Sequence, residues 1–381
     1  MINFTFQNPT KLIFGKGTIA KIAKEIPADK KMMITFGGGS VKQNGIYDQV
    51  VEALKGRDYI EFWGIEANPT VETLRKAIQI GKENQIDFLL AVGGGSVLDG
   101  TKLISSAIPY SGDAWELVLD PSLITKMIPH ASIITLPATG SEMNKGAVIS
   151  KKETQEKYAF YSSHPQFSIL DPTVTFSLPE YQIACGIADT FVHVIEQYLT
   201  KTGESAIMDR WSESILQTLV EIAPKIKANP KDYDLMSQFM LCATMALNGF
   251  TAMGVSQDWA THLIGHELTA LHGVTHGHTL AIVLPGTMQV LQEQKGAKIV
   301  QLGSRVFQIT EGDEATRIQQ TIHQTEQFFR SLGLQTRLHE MQIGESTIQE
   351  IKRRFTERGT VLGENGNVDA LVTEQILKCV L

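Results

Sequence analysis

The change in periodicity along the chain limits the folds open to it more than any other feature. Over the first 178 residues, short β-type runs at 32–36, 59–63, 88–92 and 132–136 alternate with helical stretches. A strand followed by a covering helix, repeated, builds a mainly parallel sheet with helices on its faces. Runs at 147–150, 159–162 and 167–170 follow with no helix between them, and they read as an antiparallel annex to that sheet. From Pro179 onward helical period takes over, broken at Asn229-Pro230 and Gly312-Asp313, and no convincing strand returns. At 381 residues the chain exceeds what one hydrophobic core usually supports. The expected division is an α/β domain over 1–178 and an all-α domain over 179–381.

Two of the strand runs end in glycine clusters. The run that ends at Val92 leads into Gly93-Gly94-Gly95-Ser96 and then a helical stretch. A strand, a glycine turn and a helix start bring free backbone N–H groups and a positive helix end to one point, where a diphosphate can bind. Glycine suits this turn because a Cβ would hold the backbone away from phosphate oxygens. The spacing Gly-x-Gly-x-x-Gly is not met, since Leu98 stands at its last position. The run at 32–36 ends in Gly37-Gly38-Gly39-Ser40. In dinucleotide folds an acidic residue after such a strand grips the adenosine ribose and repels a 2′-phosphate. No acidic residue stands between Gly37 and Lys42. Gly37, Gly38 and the Ser40 hydroxyl therefore leave room for the extra phosphate, and NADP(H) is expected over NAD(H). A third segment, from Thr135 to Glu142, carries the hydroxyls of Thr135, Thr139 and Ser141 at another strand end.

The helical half concentrates metal-binding side chains. Asp189 and His193 are spaced i, i+4 and so share one helical face. His262 and His266 repeat that spacing, after which Gly273 ends the helix and lets the chain turn His276 back toward them. Asp189, His193, His262 and His276 make a complete ligand set for a divalent ion, of a kind that suits Fe²⁺ or Zn²⁺. Five of the ten histidines lie between His262 and His278.

Charge and cysteine usage exclude several classes. A formal net charge of -7 with no Lys/Arg cluster gives phosphate contacts no concentrated positive surface, which argues against nucleic acid and favours a small-molecule substrate. Cys185, Cys242 and Cys379 are odd in number and widely spaced, which fits neither a disulfide framework nor a thiolate zinc site and suits a reducing cytoplasm. No basic start precedes an apolar run, and no stretch reaches about twenty consecutive apolar residues, so neither export nor a membrane span is expected.

With these segments assembled, the chain closely resembles the iron-containing (group III) alcohol dehydrogenases, and within them the butanol-dehydrogenase-like, NADPH-dependent aldehyde reductases. The resemblance runs over essentially the whole length. It rests on Phe14-Gly15-Lys16-Gly17, Gly37 to Ser40, Asn68-Pro69, Gly93 to Asp99, Pro137 to Glu142, Asp189 with His193, and the stretch from His262 to Gly277. It implies a dinucleotide-binding α/β domain of the dehydroquinate-synthase-like kind, a helical metal-binding domain, and dimers. One aspartate and three histidines bind metal in the family, matching Asp189, His193, His262 and His276. Asn68, Gly94, Gly95, Ser96, Asp99, Thr135, Thr139 and Lys157 fall where relatives contact the dinucleotide. His266 matches a histidine near the nicotinamide, and it or a water relayed through the cofactor ribose would supply the proton for the product alcohol. Many members read Pro-His-Gly at the last ligand, where this chain has Thr275-His276-Gly277.

The implied reaction is hydride transfer between NADP(H) and short, uncharged aldehydes or primary alcohols, with apolar Phe250, Met253, Trp259 and Leu263 near the ligands. A dehydroquinate-synthase-like lyase, using NAD and a metal on a phosphorylated substrate, is the alternative. Such a substrate calls for Lys and Arg beside the ligands, and there are none from Trp259 to Met288. A metal-dependent hydrolase or a non-catalytic metal-binding protein would leave both glycine turns unexplained.

Overall fold

A computed structural model describes residues 1–381. In chain order the first half forms β1 (Lys11–Phe14), α1 (Ile22–Glu25), β2 (Met32–Phe36), α2 (Ser40–Gln43), α3 (Ile46–Ala53), β3 (Tyr59–Phe62) and α4 (Val71–Glu83). It continues with β4 (Phe88–Gly93), α5 (Gly95–Ala107), α6 (Ala114–Leu119), β5 (His130–Ile134), β6 (Gly146–Lys151), β7 (Glu156–Tyr161) and β8 (Phe167–Leu170). The rest is helical: α7 (Glu180–Tyr198), α8 (Ala206–Ala228), α9 (Tyr233–Ala246), α10 (Ala260–His272), α11 (His276–Val290), α12 (Gln292–Val306), α13 (Glu314–Ser331), α14 (Glu345–Arg358) and α15 (Ala370–Cys379).

Two compact units result, one of Gln7–Leu178 with Lys231–Thr244, the other of Met1–Phe6, Pro179–Pro230 and Met245–Leu381. The chain thus departs from a single cut at 178/179. Most of α9 belongs with the α/β unit: Met240 joins its hydrophobic core, and Thr244 Oγ1 donates to the Glu142 carboxylate at 2.5 Å.

Six strands of the α/β unit form one sheet in the order β1-β8-β5-β4-β2-β3, with every neighbouring pair parallel. β2 and β4 are buried along their whole length, as strands covered on both faces must be, which explains their uninterrupted apolar sequences. From β2 the chain steps outward to β3 and then crosses back to place β4 on the other side of β2. This reversal opens a crevice at the carboxyl ends of β2 and β4, where open α/β sheets bind ligands. Both glycine clusters stand there.

The expected antiparallel annex is corrected in two ways. β6 and β7 do pair antiparallel, but as a separate two-stranded sheet, with Ser150 opposite Lys157. β8 instead enters the main sheet, parallel to both β1 and β5. Burial distinguishes the cases: β8 is buried at every residue and fits an interior position, whereas β6 alternates between buried and half-buried.

In the helical unit α7 is buried from Ile183 to Tyr198, apolar nearly all round, as a central helix should be. α11 packs against both α7 and α10. Two glycines permit the closeness. A Cβ at Gly277 would overlap the backbone of Cys185 on α7, and one at Gly265 on α10 would lie 2.7 Å from Thr279 Oγ1 on α11.

Candidate metal centre and dinucleotide site

The three packed helices carry the expected ligands to one point. Gly273 closes α10 in the left-handed conformation at φ 68°, and α11 begins only three residues later at His276. Around Asp189 Oδ1 stand His193 Nε2 at 3.6 Å, His262 Nε2 at 3.7 Å and His276 Nε2 at 3.6 Å. Ligand atoms of Asp189, His262 and His276 all lie within 4.8 Å of one another, and the His193 ring stacks on that of His262 at 4.6 Å.

These separations are too long for hydrogen bonds. They are close to the roughly 3.4 Å expected between ligands that each sit about 2.1 Å from a shared ion in tetrahedral geometry. Asp189 Oδ1 and His262 Nε2 are buried and have no hydrogen-bond partner. A buried carboxylate oxygen left without a donor is destabilising, and a divalent cation at this point satisfies it together with the imidazole lone pairs. The residues therefore fit a metal ion. Burial acts to raise the Asp189 carboxyl, yet the imidazoles of His193, His276 and His262 hold it well below the usual carboxylate range. Burial would likewise lower His262, but Glu196 and Asp189 beside it raise that imidazole to about 9.

His266, one turn beyond His262, is buried with its ring 5.1 Å from that of His276. His278 faces elsewhere: Nδ1 lies 3.0 Å from the Tyr181 hydroxyl and Nε2 3.1 Å from the Gln335 carbonyl oxygen. Trp259 sets its edge against the rings of His262 and His193, at 5.3 and 6.4 Å. Of the other apolar residues expected near the ligands, Phe250 stacks on Trp211 at 4.1 Å and Leu263 packs against a helical core cluster.

Sequence reasoning missed Glu196. It is buried, and its carboxylate meets Nδ1 of His262. Its position i+7 from Asp189 and i+3 from His193 was the available signal, because it places all three on one stripe of α7.

At the sheet crevice, α5 starts at Gly95 with Gly94 as its N-cap and no acidic residue in its first turn. A Cβ at Gly95 would lie 2.5 Å from Thr139 Oγ1, and one at Gly94 3.3 Å from Leu136 Cβ. The loop after β5 is therefore pressed against this helix start, and Thr135 N–H donates to Gly93 O at 2.9 Å. Asn68, at φ 56°, donates its N–H to Ser96 Oγ at 3.3 Å and accepts from Lys157 Nζ at 3.0 Å. Asp99 is buried and accepts from Ser141 Oγ at 2.7 Å and from Val148 N–H at 2.9 Å, so this pair braces the loop.

At the end of β2, a Cβ at Gly37 would lie in contact with Ile65 O and Val97 Cγ2 at 3.4 Å, whereas one at Gly38 would meet nothing within 4 Å. Ser40 opens α2 after Gly39 at φ 102°, and Lys42 Nζ sits 4.0 Å above the Trp63 ring. Tyr47 and Trp63 each donate to Glu61 at 2.8 Å, so that carboxylate is occupied. A helix start free of acidic side chains, lined by glycines with no space for a Cβ at Gly95, fits a dinucleotide phosphate.

A second residue missed in the sequence is Lys102, fully buried on α5. Its ammonium donates to Ser141 Oγ at 2.7 Å, Gly146 O at 2.7 Å and Asn144 Oδ1 at 3.1 Å, which ties the loop after β5 to β6. Burial lowers its pKa to about 8, against the opposing pull of Asp99 and Glu142. A lone lysine in the apolar middle of a helix, three residues after Asp99, was the clue.

Comparison with known proteins gives the family. Residues 9–172 match the model of the iron-containing alcohol dehydrogenase family, and residues 183–379 match its C-terminal part. The chain is 48% identical to the NADPH-dependent aldehyde reductase YqhD of Escherichia coli (strain K12), over 99% of each chain. It is 40% identical to the probable NADH-dependent butanol dehydrogenase 1 of Bacillus subtilis (strain 168), over 99% of this chain and 98% of that one. The crystal structure of E. coli K-12 YqhD superposes with a TM-score of 0.98 at 47% identity, covering 100% of this chain and 99% of the other. Family-model matches spanning both halves and 48% identity to a relative over nearly the whole length lead to one conclusion: the chain belongs to the iron-containing alcohol dehydrogenase family.

Proposed function

We propose that the chain transfers hydride between NADP(H) and short uncharged aldehydes or primary alcohols, acting as an aldehyde reductase, with Fe²⁺ or Zn²⁺. The observation that carries this reading is the buried, unpartnered Asp189 Oδ1 with three imidazole nitrogens at 3.6 to 3.7 Å. Asp189, His193, His262 and His276 would hold the ion, which when bound supplies Lewis-acid polarisation of a carbonyl. NADPH supplies the hydride.

Gly94, Gly95 and Ser96 present the helix start to the diphosphate, and Asn68 with Lys157 flanks it. Thr135, Thr139 and the Asp99–Ser141 pair keep the loop after β5 against that start. Gly37, Gly38 and Ser40 would take the adenosine side. Relatives divide between NADPH and NADH. The absence of a carboxylate from Gly37 to Lys42 and the free space at Gly38 favour NADPH here. His266, buried beside His276, would hand the proton to the product hydroxyl. The lack of Lys and Arg from Trp259 to Met288 favours uncharged substrates over the phosphorylated one a lyase would need.

No helix is long and apolar enough to cross a membrane. The reading places the enzyme in the cytoplasm as a homodimer, which a mass measurement in solution would check for assembly. The decisive test mixes purified protein, loaded with Fe²⁺ or Zn²⁺, with NADPH and butyraldehyde and follows loss of nicotinamide absorbance. Turnover with NADPH exceeding that with NADH supports the proposal; no turnover with either metal rejects it.

A further inference from the structure

Glu196 is only 4% exposed, one helical turn after His193 on α7. Its two carboxylate oxygens serve the start of α10: they accept the N–H of Thr261 at 2.6 Å and that of His262 at 3.3 Å, and one of them meets Nδ1 of the His262 ring. Its backbone oxygen accepts Asp258 N–H at 2.7 Å, just before the helix begins. One side chain of α7 therefore anchors both the first turn of α10 and the ring that this turn presents.

We infer that Glu196 is a positioning residue for the metal site, acting through His262. A neutral imidazole carries a single N–H, and an acceptor at Nδ1 draws it there. The Nε2 lone pair is then left on the side of Asp189 Oδ1, 3.7 Å away, with no hydrogen-bond partner of its own. A side chain without an obligate acceptor at this place would let the proton move to Nε2, which removes that nitrogen as a ligand. The inference rests on the metal reading proposed above. A plain capping role for Glu196 predicts something different: lost stability at α10 with no separate effect on metal uptake.

The test uses the full-length, metal-free chain and Zn²⁺ in competition with a chromophoric chelator. Glu196→Gln keeps the shape but offers an amide that can donate to Nδ1 as readily as accept from it. Zn²⁺ affinity should fall about 10- to 100-fold, while the melting temperature of the metal-free protein stays close to that of wild type. With Co²⁺ in place of Zn²⁺, the ligand-field bands should shift. His278→Gln, which alters a buried imidazole with other partners, should retain wild-type affinity. If Glu196→Gln does not fold, Glu196→Asp retains the charge with one methylene less reach and should also weaken binding. Wild-type affinity in the folded Glu196 variant would overturn the proposal, as would an equal loss in His278→Gln. A wild-type chain that takes up no Zn²⁺ would instead refute the metal reading itself, and this inference with it.

Discussion

Replacing Gly277 by alanine tests whether the close passage of α11 over α7 is what delivers His276 to Asp189. A Cβ built at 277 lies 2.8 Å from the carbonyl carbon of Cys185 and 3.1 Å from its Cα. Non-bonded carbons settle about 3.5–4.0 Å apart, so the two helices must separate by roughly 0.7–1.2 Å. The obstacle is backbone within a buried helix and cannot rotate aside. Overpacking of this kind typically costs ~1–3 kcal/mol, whereas the better helix propensity of alanine returns at most about 1 kcal/mol. The net loss, up to ~2 kcal/mol, should lower the melting temperature by several degrees, at roughly 2–4 °C per kcal/mol for a domain of this size class. Function should suffer more, because metal–ligand distances tolerate only about 0.2 Å and a misplacement of about 1 Å can reduce rate on the order of 100-fold. Wild type and Gly277→Ala would be compared by thermal unfolding of the metal-free proteins, Zn²⁺ competition titration and NADPH-dependent turnover of butyraldehyde. Metal affinity and kcat should drop together and out of proportion to stability. A variant that melts lower yet keeps wild-type metal affinity and turnover would refute the reasoning, since His276 would then not depend on this approach.

Three other substitutions probe separate links. Gly38→Asp enters open space at the end of β2, so it should raise KM for NADPH tenfold or more through charge repulsion while sparing NADH; an unchanged cofactor preference would show that the 2′-phosphate sits elsewhere. His193→Ala should abolish stoichiometric metal and activity with the fold retained, because the hydrophobic core clusters lie elsewhere; full metal content in the variant would remove His193 from the ligand set. Lys102 is lowered by burial from the ordinary 10.5 to about 8, with Asp99 and Glu142 facing it and its charge felt in turn by buried His130. Between those two values the unfolded chain holds more protons, so stability should rise with pH across that window, at up to about 1.4 kcal/mol per pH unit. Lys102→Met lacks this contribution. The stability difference between wild type and that variant should therefore move in favour of wild type from pH 8 to pH 10, and a flat difference would reject the assignment.

Local pattern carried much of this account. The apolar runs of β2 and β4, each ending in glycines, were enough to locate the crevice, because burial on both faces and a following helix leave an unmistakable local trace. Asp189 and His193 were likewise legible as neighbours on one helical face. What escaped the sequence was set by tertiary packing. Glu196 carries no mark of its partner until α7 and α10 are packed, although its phase on α7 was open to reading. β8 resembled its hairpin neighbours in sequence proximity, and only its burial on both faces sends it into the main sheet. Most of α9 groups with the α/β unit; the Asn229-Pro230 break marks where that segment begins, but not which core receives it. Phe250, expected near the ligands, has its ring taken by Trp211, since an apolar residue in a loop is equally suited to packing.

Anomalous diffraction from crystals of the metal-loaded protein, recorded at the iron or zinc absorption edge, would show where the ion sits. One strong peak per chain is expected, about 2.0–2.2 Å from Asp189 Oδ1 and from Nε2 of His193, His262 and His276. A peak away from these four groups, or full metal loading with none of them as ligands, would contradict that ligand set.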